Sequence, residues 1–165
     1  MEAYVMDAFS ARLFGGNQAG VVLPEHPLDD GVMQQIAAEF KHSETAFAAM
    51  EPDGSVTLRY FTPAGEVELC GHATIATFAL LRALGRIGDG TVTAHTKAAQ
   101  LAIEVQGDTV WMDMAPPRWI RELTAAELPA LYEAYGLTSA DCPEGLLPGS
   151  ISGCPPSSPP ALPIS

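Results

Sequence analysis

The segment at residues 71–84 constrains the fold most, because apolar residues cover nearly every side of the helix that it would form. A surface helix carries one apolar stripe, whereas a helix that is apolar all round must be buried on most sides. Several residues of the segment are alanine or threonine, which are small enough for strands to approach closely. The sequence therefore predicts a central buried helix around which the other elements pack.

Short segments with strand character lie on both sides of this helix in the sequence. They are rich in apolar and β-branched residues, and turn residues such as glycine, proline and asparagine separate several of them. The predicted strands are residues 2–9, 19–23, 43–50, 55–62, 91–95, 100–105 and 109–114. This order indicates an α+β fold in which a mostly antiparallel or mixed β-sheet wraps around the central helix, rather than a doubly wound parallel sheet.

Two further helices are predicted at the edges of this arrangement. Asp29 or Asp30 can cap a helix whose apolar residues follow helical spacing as far as Phe40. Residues 124–127, Thr-Ala-Ala-Glu, form a capping box for a last helix that ends near Tyr135. Pro129 lies early in this helix and is expected to kink it or delay its start.

The composition excludes several classes of partner. The chain has 165 residues and a formal net charge of -12, so it repels the phosphates of nucleic acids and anionic membrane surfaces. We find no secretory signal and no apolar run long enough to span a bilayer, which predicts a cytoplasmic protein. Three cysteines at unrelated spacings and scattered histidines predict neither a disulfide framework nor a metal site. A glycine-rich dinucleotide fingerprint is absent, so no nucleotide cofactor is expected.

Cys70, Gly71 and His72 stand at the start of the predicted central helix. A helix N-terminus has unpaired amides and partial positive charge, so it can bind a carboxylate or stabilise an oxyanion. A cysteine there is expected to have a lowered pKa, and the histidine can shuttle a proton. The alternative is that Cys70 is a small buried apolar residue and His72 a satisfied core residue, which composition alone favours.

Glu44 is the second candidate for acid/base chemistry, since it directly precedes a mostly apolar stretch. A carboxylate that faces the interior has its pKa raised by desolvation and can act as general acid/base. The alternative is a solvated residue on the outer face of the strand. Glu44 shares its side of the strand with Ala46 and Ala48, and this alternation leaves both interpretations open.

Three segments, in order and in register, resemble the phenazine-biosynthesis (PhzF-like) family, which has the diaminopimelate-epimerase-like fold. The first segment resembles the start of the family's sequences and comprises residues 7–9 (Asp-Ala-Phe), 14–17 (Phe-Gly-Gly-Asn) and 20–23 (Gly-Val-Val-Leu). The second signature is residues 43–47 (Ser-Glu-Thr-Ala-Phe). The third is residues 59–63 (Arg-Tyr-Phe-Thr-Pro), with Glu66 and residues 69–74 (Leu-Cys-Gly-His-Ala-Thr). The resemblance covers about residues 1–140.

The resemblance implies the N-terminal lobe of a two-lobed isomerase or epimerase that binds its ligand between the lobes. It implies that Glu44 is the general acid/base and that His72 lines the same pocket. Cys70 stands where cofactor-independent amino-acid epimerases carry a cysteine base, so the choice of base stays open. The residues implied to bind substrate are Asn17, Gly71, His72 and Ala73. The resemblance also implies that the protein moves a proton on a small carboxylated metabolite, without a metal or organic cofactor. The pocket face that a single lobe would expose predicts association as a homodimer.

The end of the chain departs from the family pattern. Residues 141–165 are rich in proline and nearly free of charge, which predicts an irregular tail after a lobe at residues 1–140. The family's second lobe carries an Asp-Pro-Ala-Thr-Gly-Ser-like motif that is not found in this sequence, so we expect a truncated or frameshifted end. The alternative function is therefore a catalytically incomplete lobe that acts as a binding or assembly module.

Overall fold

The computed structural model describes residues 1–12, 14–114, 118–122, 124, 126–136, 138 and 150–153, which divide between two units. The first unit, Met1–Met114, holds a single sheet of eight strands. These strands are β1 (Glu2–Ala8), β2 (Asn17–Leu23), β3 (Thr45–Met50), β4 (Val56–Phe61), β5 (Glu66–Val67), β6 (Gly90–His95), β7 (Gln100–Gln106) and β8 (Thr109–Met112). Two helices of this unit are α1 (Asp30–Phe40) and α2 (Gly71–Ala83).

The sheet is mixed, and it curls around α2. Its strand order is β1-β2-β3-β4-β6-β7-β8, with β5 added to β4. Two neighbouring pairs, β2 with β3 and β4 with β6, are parallel, and the other pairs are antiparallel. Helix α2 contacts β1 and β2 at one end of this order and β7 and β8 at the other. The predicted fold class, a mixed sheet wrapped around a central buried helix, is confirmed.

Helix α2 is buried because its apolar residues point in every direction. Ala73, Phe78 and Leu81 have no exposed surface, and the cluster around them includes inward-facing residues of seven of the strands just described. The predicted helix at residues 71–84 ends one residue earlier, with Leu84 as its C-cap. Position 85 follows in the left-handed region with a φ of 68°, and glycine adopts it without steric cost.

Helix α1 lies on the opposite face of the sheet and buries a single stripe. Met33 and Ala37 pack on a second cluster formed with Val22, Phe47 and Phe61. The helix begins after Asp29, as predicted, although the Asp29 side chain makes no capping hydrogen bond.

Arg59 of β4 forms ion pairs with residues of α1 and β5. Its Nη1 donates to Asp30 Oδ1 at 2.6 Å, and its Nε donates to Glu66 Oε1 at 2.7 Å. The guanidinium group lowers the pKa of the Glu66 carboxyl. Arg59 therefore links α1 and β5 to β4 through these two ion pairs.

The second unit contains β9 (Arg118–Glu122), α3 (Leu128–Ala134) and β10 (Ser150–Gly153), and β9 pairs with β10 in antiparallel fashion. Thr124 donates from its amide and its hydroxyl to Glu127 Oε2, both at 2.8 Å, but the predicted capping box does not open the helix, because the N-cap residue of α3 is Glu127 itself. The helix itself starts only at Leu128, because Pro129 suits the first turn of a helix and not its interior.

The predicted tail falls outside the described residues except for 150–153, which form β10. The lobe boundary at residue 140 stays a prediction. Among the described helices, none combines the length and the apolar character needed to cross a membrane.

Candidate active site

Glu44 directly precedes β3, at the N-terminal end of this interior strand. Its carbonyl oxygen accepts a hydrogen bond of 3.1 Å from the Gly20 amide of the parallel neighbour β2. Ala46 and Ala48 belong to the cluster around α2, whereas Phe47 belongs to the cluster under α1. Glu44 has the same parity as the two alanines, so its side chain points to the α2 side. The structure thus decides the orientation that sequence alternation left open.

Three predicted site residues meet at the N-terminus of α2. Cys70 is the N-cap residue, and its Sγ lies 3.3 Å from His72 Nδ1. The other ring nitrogen, His72 Nε2, lies 3.5 Å from Glu44 Oε2. The histidine side chain is 10% exposed and the glutamate side chain 23%, so the cluster is largely enclosed but opens at Glu44. Their catalytic roles stay predictions.

The predicted lowering of the Cys70 pKa is wrong. The pKa of the Cys70 thiol is raised to about 11, mainly by burial and in addition by the neighbouring Glu44 carboxylate, whereas the amides of Ala73 and His72 oppose the shift. Only 8% of the residue is exposed, so the loss of hydration of a thiolate outweighs the helix end. At neutral pH the group is a thiol, and its S–H is available as a donor to His72 Nδ1 or to the Glu44 carboxylate.

We expect Cys70 to alkylate slowly as a consequence. At pH 8, iodoacetamide should modify Cys70 in the folded chain at least about 100-fold more slowly than in the urea-unfolded chain, because only the thiolate reacts. Peptide mass spectrometry separates Cys70 from Cys142 and Cys154 of the same chain. Modification of Cys70 at similar rates in both states would contradict the raised pKa.

The amides of Gly71, His72 and Ala73 precede the first helical hydrogen bond, in which Thr74 N–H donates to the Cys70 carbonyl at 3.0 Å. They therefore have no acceptor within the helix. A Cβ added at Gly71 would meet only the Met112 side chain, at an ordinary 3.5 Å, so packing alone does not require glycine there. The predicted role of these three residues in holding a substrate carboxylate stays a prediction.

Asn17 begins β2 and is exposed. The parallel register pairs Gly20 with Thr45, so the start of β2 lies at the same end of this strand pair as Glu44. Asn17 also has the parity of Ala19 and Val21, which face α2. This position is compatible with the predicted contact to a ligand, which is itself untested.

Thr74 is a polar residue of the site that sequence reasoning treated only as a small residue. Its Oγ1 donates to the Cys70 carbonyl at 2.7 Å, so the Tyr60 hydroxyl, 2.6 Å away, donates to Thr74. Neither Thr74 nor Tyr60 has exposed surface. The sequence did contain a signal for this role, because Thr74 is a polar residue in a helix predicted to be buried, and a buried hydroxyl needs a hydrogen-bond partner.

We expect Thr74→Val to destabilise the chain by about 1–3 kcal/mol, since it leaves the buried Tyr60 hydroxyl without its acceptor. Tyr60→Phe should cost less, about 0.5–1.5 kcal/mol, because Thr74 keeps its bond to the Cys70 carbonyl. Urea unfolding of both variants and of the double variant measures the difference. A double variant that costs the sum of the two single changes would contradict a direct bond between them.

The cluster also groups three kinds of metal ligand. Glu44, Cys70 and His72 offer one oxygen, one sulfur and one nitrogen atom, all within 4.8 Å of one another. The spacing of cysteines and histidines in the sequence could not predict this group, because its third member, Glu44, directly precedes β3, whereas Cys70 and His72 lie at the start of α2.

Comparison with known proteins identifies the family of this chain. The family described as phenazine biosynthesis-like protein matches residues 6–148. The uncharacterized isomerase YddE of Escherichia coli K12 is 36% identical over 149 residues, 88% of this chain and 50% of the relative. Two solved structures are also similar. A PhzF-family phenazine biosynthesis protein of Bacillus anthracis shares 31% identity with a TM-score of 0.73, covering 86% of this chain and 50% of that one.

The second structure is the predicted epimerase PA4716 of Pseudomonas aeruginosa. It shares 26% identity with a TM-score of 0.79, covering 91% of this chain and 55% of that one. The chain thus spans about half the length of the proteins it matches. The match to the family extends from the first strand through all three of the segments noted in the sequence and well beyond the central helix. This chain therefore belongs to the phenazine biosynthesis-like protein family.

Proposed function

We propose that the chain carries the proton-transfer site of an isomerase that acts on a small carboxylated metabolite without a metal or organic cofactor. The observation that supports it is the partly buried Glu44 carboxylate, which lies beside His72 and Cys70 at the N-terminus of α2. A carboxylate at a helix N-terminus places a proton acceptor next to a ready anion site. Relatives named isomerase or epimerase agree with this class of reaction.

In the proposed reaction the helix end binds the substrate carboxylate and Glu44 removes a proton from a neighbouring carbon. The C–H bond breaks, the proton passes to a Glu44 oxygen, and the electron pair delocalises toward the carboxylate. The partial positive charge of the helix end stabilises that negative charge. In a substrate with a C=C bond beside that carbon, the electron pair also delocalises over the double bond. Glu44 can then return the proton to the far carbon as the double bond shifts, so the product has the same composition as the substrate.

The arrangement favours isomerisation over epimerisation. All three side chains lie at one helix end, so they reach one face of a bound ligand. A single carboxylate can take and return a proton on the same face, whereas inversion at a carbon needs a second group on the opposite face. Of the two candidate bases, Glu44 fits better than Cys70, whose pKa of about 11 keeps the thiol protonated near neutral pH.

A second candidate function is a binding lobe that holds the carboxylated ligand without turning it over. The same one-sided arrangement favours it, because groups on the other face would have to come from elsewhere. Assembly as a homodimer, expected from the exposed pocket face of a single lobe, stays a prediction.

Proton exchange in deuterated buffer tests the proposal. We would incubate the chain with a panel of small amino acids and unsaturated carboxylic acids and follow loss of each C–H signal by nuclear magnetic resonance. Exchange that saturates with substrate supports the isomerase, and it should persist after chelator treatment. Saturable binding without exchange on any member supports the binding lobe. The absence of both binding and exchange would refute both candidates.

A further inference from the structure

Glu44, Cys70 and His72 have a second chemical capacity besides proton transfer. Tetrahedral zinc sites combine thiolate, imidazole and carboxylate ligands, and bond lengths there separate neighbouring ligand atoms by roughly 3.4–3.6 Å. His72 Nε2 and Glu44 Oε2 already lie 3.5 Å apart, within this range, whereas Cys70 Sγ lies 3.3 Å from the other ring nitrogen, Nδ1. A zinc ion binds a single imidazole nitrogen, so the side chains of the cluster must turn to bring all three ligands to one ion. With one ligand atom from each residue, the separations are within 4.8 Å, and a closure of roughly 1.3 Å gives the spacing of a zinc site.

The histidine supplies an independent observation. His72 Nε2 is buried and has no hydrogen-bond partner among the described residues, although the ring is 90% buried. A buried ring nitrogen without a partner is costly, and the great majority of such atoms in folded proteins are bonded. This nitrogen points toward the Glu44 carboxylate but stays beyond normal hydrogen-bonding distance. A cation between the two groups would satisfy both.

We propose that Glu44, Cys70 and His72 bind one thiophilic divalent cation, Zn²⁺, with a water molecule as fourth ligand. Binding replaces the S–H bond of Cys70 with a sulfur–zinc bond, and the proton leaves to solvent. The thiolate and the carboxylate then balance the charge of the ion, and the amides at the helix end stabilise the thiolate. Three protein ligands with one open position is the arrangement of accessible zinc sites.

The exposed side of Glu44 gives the ion its entry. Mg²⁺ and Ca²⁺ are excluded by the ligand set, because these ions require several oxygen ligands and avoid sulfur. Zinc would occupy the side chains that the proposed proton transfer uses, so it acts as an inhibitor of that reaction and not as its cofactor.

Cobalt(II) is the probe for this site, because its spectrum reports both sulfur ligation and four-coordinate geometry. In a Cys142→Ser/Cys154→Ser background Cys70 is the remaining thiol. We expect one Co²⁺ per chain, with a thiolate-to-cobalt charge-transfer band and intense visible bands. Zn²⁺ should displace the cobalt, and excess Mg²⁺ should not. Cys70→Ser should abolish the charge-transfer band and weaken Zn²⁺ binding at least about tenfold, the effect of losing even an outer partner of a ligand.

Two further variants separate ligation from a general loss of structure. Glu44→Gln and His72→Gln should weaken Co²⁺ binding but leave a thiolate band at high cobalt concentration. His26→Gln, at an exposed histidine outside the cluster, should leave binding unchanged. Binding without a thiolate band, a band insensitive to both Glu44→Gln and His72→Gln, or no binding would overturn the proposal. The readout is metal binding, so its outcome does not depend on whether the chain catalyses isomerisation.

Discussion

Glu44→Gln is expected to lower the rate of substrate-dependent proton exchange by about 10²–10⁴-fold, the contribution typical of a positioned general acid/base. Glutamine has nearly the same shape and keeps a polar contact to His72, but it cannot accept a proton at neutral pH. The loss should appear in kcat with little change in KM, because the carboxylate acts on the proton and the helix end holds the ligand. Exchange followed by nuclear magnetic resonance in deuterated buffer measures it.

Two control variants make this result specific. Glu39→Gln changes an exposed carboxylate of α1 and should leave exchange unaffected. Cys70→Ser should lower the rate by less than about tenfold, because it exchanges one weak hydrogen bond for another. If Cys70→Ser removed activity and Glu44→Gln did not, the cysteine would be the base and our assignment would be wrong.

The fold was predictable where a single physical constraint decided it. Helix α2 is apolar on every side, and burial at the centre of the sheet is the arrangement that satisfies such a helix. The pairing of the strands was harder to predict, because the alternation of apolar and polar residues does not indicate whether neighbouring strands are parallel or antiparallel. The parallel pairs β2 with β3 and β4 with β6 depend on α1 and α2, which cross over between the strands they connect. The two-residue strand β5 was too short to leave a sequence pattern.

The site was predictable in membership but not in electrostatics. Motif order brought Glu44, Cys70 and His72 to attention, and the structure places all three at one helix end. The sequence indicated a lowered pKa for Cys70 because the helix N-terminus is visible in it, whereas the burial that dominates depends on strands distant in the chain. Thr74 was overlooked for a similar reason, since its partner Tyr60 lies on another element.

Leu81→Ala is the substitution expected to test the central packing most directly. Leu81 lies in the last turn of α2 and has no exposed surface, so its removal leaves a cavity that the curled sheet can fill only in part. We expect a loss of about 2–5 kcal/mol in the free energy of unfolding, the range for buried leucine residues. Urea unfolding monitored by circular dichroism measures it, and an unchanged slope shows that both states keep their compactness.

The matched control is Leu84→Ala, which makes the same chemical change three residues later. Leu84 is the C-cap residue and is 40% exposed, so alanine there removes fewer contacts and leaves no enclosed cavity. Its cost should stay below about 1 kcal/mol, near the level of a surface substitution. Equal costs at the two positions would mean that α2 is not enclosed by the sheet at its C-terminal end. A large difference would show that the curled sheet, and not helix propensity, stabilises this element, because alanine has a higher helix propensity than leucine and cannot by that effect destabilise the helix at position 81.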